Sequence, residues 1–175
     1  MGRRLLRSTV VGEITLRLAE GGDAEAIRRI YNNEVRTATS TFDLVPRSLT
    51  DQERWLAARS GAFAAIVAAD GDGRILGFGS LSPYKERAAY RTTVEDSVYV
   101  DPTSQGGGIG TALLTRLVEI ARSSGFHTVI ARIEASGAAS RALHARCGFE
   151  LVGVEREVGR KFNRWLDIAV MQLLL

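Results

Sequence analysis

The sequence predicts a single mixed α/β domain, and three observations carry that prediction. Stretches with alternating or short continuous apolar character interchange with stretches whose apolar residues recur at helical spacing. Only some of the strand-like stretches are joined by helices, which makes the pattern a mixed α/β one. The 175 residues, 45% hydrophobic and 25% charged, contain no repeat, low-complexity tract or Pro-rich linker that would divide one core into two.

Glu13 to Leu18 alternates as a first strand does. Asp23 is placed to cap a helix that carries Ile27, Ile30 and Tyr31 on one face. Thr37 to Phe42 breaks that pattern, and Thr50 with Glu53 forms a capping box for a second helix around Trp55 and Leu56. The apolar runs Ala62 to Ala69 and Ile75 to Leu81 flank Asp70-Gly71-Asp72-Gly73, a hairpin signal. After a polar loop, Ser82 to Arg91, a strand from Thr92 to Val100 stops at Pro102, which has no amide hydrogen for a ladder. Ile109, Leu113, Leu117 and Ile120 then recur at helical spacing, with Gly125 at the C-terminal cap. Thr128 to Ile133 is a buried-strand run and Ala138 to Cys147 a small-residue helix closed by Gly148. Glu150 to Glu157 and Arg164 to Leu173 complete the order β-α-α-β-β-β-α-β-α-β-β. Residues 1–12 are read as a flexible extension and 13–175 as the domain.

Several function classes are disfavoured. The formal charge of +3 comes without the basic clustering of a nucleic-acid binder. No apolar run is long enough to cross a bilayer, and Arg7 and Glu13 interrupt what would be a signal core. Leu6 breaks the myristoylation pattern. Cys147 is the only cysteine, which suits a reducing cytoplasm, and His127 and His144 have no zinc-ligand spacing, so no metal is expected.

The chemistry concentrates in Val98 to Thr111, where a strand ends, a glycine-dense turn follows and a helix begins at once. Backbone amides without side-chain cover converge there at the positive end of a helix, which makes an anion site. A P-loop is excluded because Thr111, not lysine, follows Gly110. A dinucleotide fingerprint needs another glycine spacing and an earlier place in the chain. Gln105-Gly106-Gly107-Gly108-Ile109-Gly110 instead fits Q/R-x-x-G-x-G/A, the signature of the GNAT acetyltransferases.

The sequence resembles that superfamily over nearly its whole length, and within it the phosphinothricin and methionine sulfone (sulfoximine) acetyltransferase branch. The resemblance also rests on Tyr31-Asn32-Asn33, Thr39 to Phe42, Thr93 to Val100, Ala139 to His144, Cys147-Gly148-Phe149 and Val158 to Asp167. It implies a mixed sheet of about six to seven strands with about four helices, and a splayed strand pair, Val98–Val100 against Thr128–Ile133. Acetyl-CoA would lie in the gap as acetyl donor. Backbone groups of Val98, Tyr99 and Val100 would meet the pantetheine, and Gln105, Gly106, Gly107, Gly108, Ile109, Gly110 and Thr111 the diphosphate. Gly137 and Ser140 would complete the cofactor site, although Gly137 stands where the branch usually has Asn. The acceptor amine would attack the thioester directly, with no acyl-enzyme on Cys147.

Glu95 matches the branch's catalytic glutamate and His144 its Leu-His position, so each is a candidate proton acceptor. Lys85, Arg87 and Tyr90, in the loop before the Glu95 strand, are candidates to hold an acceptor carboxylate, with Thr39 and Phe42 lining the same pocket. Arg36 stands at a place usually neutral or acidic. The expected activity is transfer of acetyl to the primary amine of a small amino-acid-like acceptor. A CoA-binding regulatory module without turnover stays open, as does an acceptor that is a protein N-terminus, lysine or aminoglycoside. The resemblance also implies a homodimer, with Phe162 and Trp165 in its interface or in the core.

Overall fold

The computed structural model describes residues 8–11 and 13–175. Among these residues eight strands form one sheet in the order β1-β2-β3-β4-β5-β6-β8-β7. The strands are β1 (Thr9–Val11), β2 (Ile14–Leu18), β3 (Ala65–Ala69), β4 (Ile75–Pro83), β5 (Thr93–Val100), β6 (Thr128–Glu134), β7 (Glu150–Lys161) and β8 (Arg164–Leu174). The α-helices are α1 (Ala24–Thr37), α2 (Leu49–Ala57), α3 (Ile109–Ser123) and α4 (Ala138–Arg146). Only β5 and β6 pair in parallel, and α3 makes the crossover between them.

The helices cover both faces of the sheet. Ile27, Ile30 and Val35 of α1 and Leu56 of α2 bury against Val67 and Phe78 on one face. Leu113, Leu114 and Leu117 of α3 bury against Leu81, Val94 and Val129 on the other. Strand β3 supplies Val67 to the first core and Ile66 and Ala68 to the second, which is the period-2 alternation of a strand covered on both sides.

The structure changes several sequence assignments. Thr9–Val11, placed in the extension, pairs antiparallel with β2 and raises the strand number to eight, while residues 1–7 and 12 lie outside the described residues. The cap of α2 is Ser48, not Thr50: Ser48 Oγ accepts from the Asp51 amide at 3.1 Å and donates to its carboxylate at 2.6 Å. Asp23 does not cap α1 with its side chain. Its carboxylate takes the Glu20 amide at 2.8 Å and both Arg17 guanidinium nitrogens, at 2.6 and 2.8 Å. The Asp70 to Gly73 hairpin forms as expected, with Asp70 Oδ1 accepting from the Asp72 and Arg74 amides.

Candidate active site

The parallel pairing of β5 with β6 stops after Thr93–Glu95 against Thr128–Ile130. Strand β5 stays on β4 through Val100 and β6 stays on β8 through Glu134, so a gap opens between them. The Asp101 amide donates to the Leu76 carbonyl at 2.8 Å, which fixes the phase of the β4–β5 ladder. Alternation then turns the backbone groups of Val98 and Val100 toward the gap, and those of Tyr99 toward β4. The expectation that all three residues offer backbone bonds to a ligand is corrected for Tyr99. Its ring, stacked on Phe78 with centroids 5.2 Å apart, instead closes the floor.

The gap widens into a cleft of about 900 Å³. At one end lies the glycine loop. Asp101 caps a 3-10 turn at Pro102–Ser104 by accepting from the Thr103 amide at 3.0 Å, and Gly108 enters α3 with φ +78. Only glycine adopts that backbone without strain, and it lets α3 start immediately, with the unpaired amides of its first turn at the cleft. Gln105, Gly106, Gly108, Ile109, Gly110 and Thr111 line the cleft, whereas Gly107 does not. Gly137 and Ser140, at the start of α4, line it from the other side. A Cβ on Gly137 would stand 3.0 Å from the Glu134 carbonyl oxygen, so the missing side chain also relieves a tight contact. A deep slot with free strand-edge groups and a positive helix end fits a long ligand with an anionic head.

Glu95, His144, Thr39 and Phe42 also line the cleft. Glu95 is partly buried, and that burial pushes its carboxyl above the usual range; Arg132 opposes the shift, while Asp96 and Glu155 add to it. His144 occupies a different electrostatic position. Its Nδ1 lies 2.7 Å from the Ser140 carbonyl, and its Nε2 3.1 Å from Oδ2 of the buried Asp96. The carbonyl can only accept, so Nδ1 carries a proton, and a second proton lies between Nε2 and Asp96. Burial alone would lower the His144 pKa, but the hydrogen bond and charge of Asp96 and the Ser140 carbonyl outweigh it and raise it. With both nitrogens engaged, His144 has no free lone pair for an amine proton. The geometry therefore runs against its role as a base.

The far end of the cleft is built by residues from distant segments. Thr39 donates to Glu134 at 2.9 Å, and Tyr31 Oη lies 2.9 Å from Thr41 and 2.6 Å from Asp43. Burial pushes the Glu134 carboxyl up, but hydrogen bonds from Ser136 and Thr39 outweigh it and hold it below its ordinary range. Lys85, Arg87 and Tyr90 do not line the cleft. Lys85 Nζ sits over the Tyr84 and Tyr90 rings, at 4.7 and 5.3 Å from their centroids, and Arg87 is exposed. Lys85 is thus held on two aromatic rings, and all three residues lie outside the lining of the cleft. Arg36 is also exposed and outside the cleft lining. The basic side chains that do line it include Arg132 and Arg146. Sequence reasoning missed Arg132, Asp96 and Glu134. Asp96 alone had a local signal, a carboxylate on the strand next to Glu95, while the other two reach the site through the β5–β6 splay. Among the described residues no cluster of metal-ligating side chains occurs.

The acetyltransferase (GNAT) family matches residues 25–149. The chain is 40% identical over 162 residues, 92% of this chain and 94% of the relative, to an L-methionine sulfoximine/L-methionine sulfone acetyltransferase of Pseudomonas paraeruginosa. It is 40% identical over 159 residues, 90% of this chain and 81% of the relative, to a phosphinothricin N-acetyltransferase of Alcaligenes faecalis. A crystal structure of a phosphinothricin acetyltransferase from Sinorhizobium meliloti in complex with acetyl-CoA superposes with a TM-score of 0.89, at 38% identity, covering 93% of this chain and 89% of that one. A structure named as a ribosomal-protein-alanine N-acetyltransferase from Brucella melitensis superposes with a TM-score of 0.88, at 39% identity, covering 91% and 99%. The splayed strands, the glycine loop and these matches agree: the chain belongs to the GNAT acetyltransferase family and is an acetyl-CoA-dependent N-acetyltransferase.

Proposed function

We propose that the enzyme acetylates the primary amine of a small amino-acid-like acceptor, of the methionine sulfone, methionine sulfoximine or phosphinothricin type, by direct attack in a ternary complex. One observation carries the reading: a single continuous cleft is lined by the glycine loop, by Glu95 and by Thr39 and Phe42.

Acetyl-CoA enters as substrate, its diphosphate at the α3 amides and its pantetheine along Val98 and Val100. Glu95 takes the ammonium proton, directly or through water, and the freed lone pair attacks the thioester carbonyl. A strand-edge amide of β5 stabilises the oxyanion, and the tetrahedral intermediate collapses as its C–S bond breaks, the extra proton on nitrogen passing to the departing CoA thiolate directly or through water. Arg132, which also pairs with Glu155 at 2.6 Å, is the cleft-lining cation we assign to an acceptor carboxylate, the part that the resemblance gives to Lys85 and Arg87. His144, bonded through both ring nitrogens to the Ser140 carbonyl and Asp96, holds its place on the wall of the cleft. Cys147 packs against the core beside α3 and takes no part.

Two further readings belong with this one. The edge strand β7 exposes Leu151, Val152, Val154 and Val158, with Trp165 60% exposed on β8, and an apolar sheet edge of this kind supports a homodimer. The lone cysteine supports a cytoplasmic location.

The test incubates the protein with acetyl-CoA and methionine sulfone, methionine sulfoximine, phosphinothricin and an alanine-terminated peptide, following free thiol. Transfer to the amino-acid analogues is expected. Transfer to the peptide alone would move the acceptor to a protein N-terminus, and binding of CoA without turnover on any acceptor would leave a regulatory module.

A further inference from the structure

The loop that carries Phe42 into the cleft is fastened on every side except at Phe42 itself. Thr39 is bonded to Glu134, and Thr41 and Asp43 to Tyr31. From the opposite side comes Lys161, 4% exposed at the end of β7. Its ammonium donates to the Thr41 carbonyl at 2.7 Å and the Glu34 carbonyl at 3.4 Å. The backbone around residue 42 is therefore pinned to α1, β6 and the β7–β8 hairpin, and the Phe42 side chain alone is left to settle.

What it settles on is Gly159. A Cβ built there would overlap Phe42 Cε2 and stand 2.5 and 2.8 Å from Cδ2 and Cζ, so the ring packs directly against the bare glycine. The hairpin is shaped to deliver this contact. Pairing jumps from Glu155 opposite Ile168 to Gly159 opposite Leu166, which leaves residues 156–158 facing Asp167 as a wide bulge. Glu157 there has φ +50, and its amide donates to Asp167 Oδ1 at 2.8 Å, closing the bulge. Phe42 itself lines the cleft.

We propose that Gly159 is a specificity-determining position: by seating the Phe42 ring outside the acceptor pocket, it sets the size of acceptor side chain that the pocket admits. The proposal rests on the acceptor occupying this cleft, as argued above. Any side chain at residue 159 must displace the ring, and with the loop backbone fastened the ring turns into the pocket. Gly159 touches neither the glycine loop nor Glu95, so acetyl-CoA binding and the proton step stay as they are.

The test measures kcat/KM for acceptors of increasing side-chain size, from alanine to methionine sulfone, and KM for acetyl-CoA. It compares wild type, Gly159→Ala, Phe42→Ala and the double variant. Gly159→Ala is expected to lower kcat/KM about tenfold or more for the methionine-sized acceptor and little for the smallest, the discrimination that one or two methylenes impose in a closed pocket. In the Phe42→Ala background the same substitution is expected to have no effect, since the ring it displaces is gone. A loss equal for all acceptors, or one that persists without Phe42, overturns the proposal and marks a general disturbance of β7, which the Tm of each variant reports. A wild type that acetylates none of the series refutes the acceptor reading instead, a result separate from an active wild type indifferent to Gly159.

Discussion

The two ends of the cleft are built on different principles. The end proposed for acetyl-CoA is built chiefly from one piece of chain, Val98 to Thr111, and it offers backbone: a strand edge left open by the splay, a left-handed glycine and the first amides of α3. The end proposed for the acceptor is collected from α1, the loop after it, β5, β6 and β8, and it is lined by side chains. Backbone recognition tolerates change in neighbouring side chains, whereas an assembled pocket changes with each of its members. One fold can thus keep one acetyl donor while its acceptors vary.

Substitutions at the two ends should separate cleanly. The largest effect is expected for Glu95→Gln, which removes the proton acceptor and lowers kcat by about 10² to 10⁴-fold while KM for acetyl-CoA stays within about twofold. A rise in KM for acetyl-CoA comparable to the fall in kcat would show that Glu95 shapes the cleft instead. Next, Gly108→Val places a β-branched residue at φ +78 and is expected to raise KM for acetyl-CoA about tenfold or more with the acceptor KM unchanged. An acceptor KM that rose in parallel would erase the distinction between the ends.

A smaller effect tests the centre, where the ends meet. The fold raises the His144 pKa, so its pairing with Asp96 contributes stability that is fully present below the unfolded histidine value. That stability is lost as pH rises through the folded value. Asp96→Asn is therefore expected to cost about 1–3 kcal/mol at pH 6 and less at pH 9, seen in denaturant unfolding, with the imidazole titrating lower by NMR. An equal cost at both values would mean that the pair is held neutral. The subtlest effect is expected for Arg132→Gln. Arg132 holds the Glu95 carboxyl down, so its loss should move the acid limb of kcat/KM to higher pH. It should also raise KM for amino-acid acceptors more than for amines lacking the carboxylate. A limb that moved down would remove Arg132 from the site.

The same contrast explains what the sequence could and could not reveal. The α/β order, the hairpin at Asp70 to Gly73 and the glycine loop depend on short-range signals, and each is found where those signals lie. The resemblance places Lys85 and Arg87 at the acceptor, but Lys85 sits over the Tyr84 and Tyr90 rings and neither residue lines the cleft. Arg132 and Glu134 lie more than 35 positions after Glu95 and come to the cleft only because β6 runs beside β5. The seat of Phe42 on Gly159 depends on a bulge that no spacing rule announces.

In the proposed reaction donor and acceptor occupy this one cleft together and react directly. Initial rates measured while acetyl-CoA and methionine sulfone are varied against each other test it most directly. Intersecting double-reciprocal lines, with Cys147→Ala retaining activity, are the predicted result. Parallel lines, with an acetyl group trapped on the protein in the absence of acceptor, would contradict it.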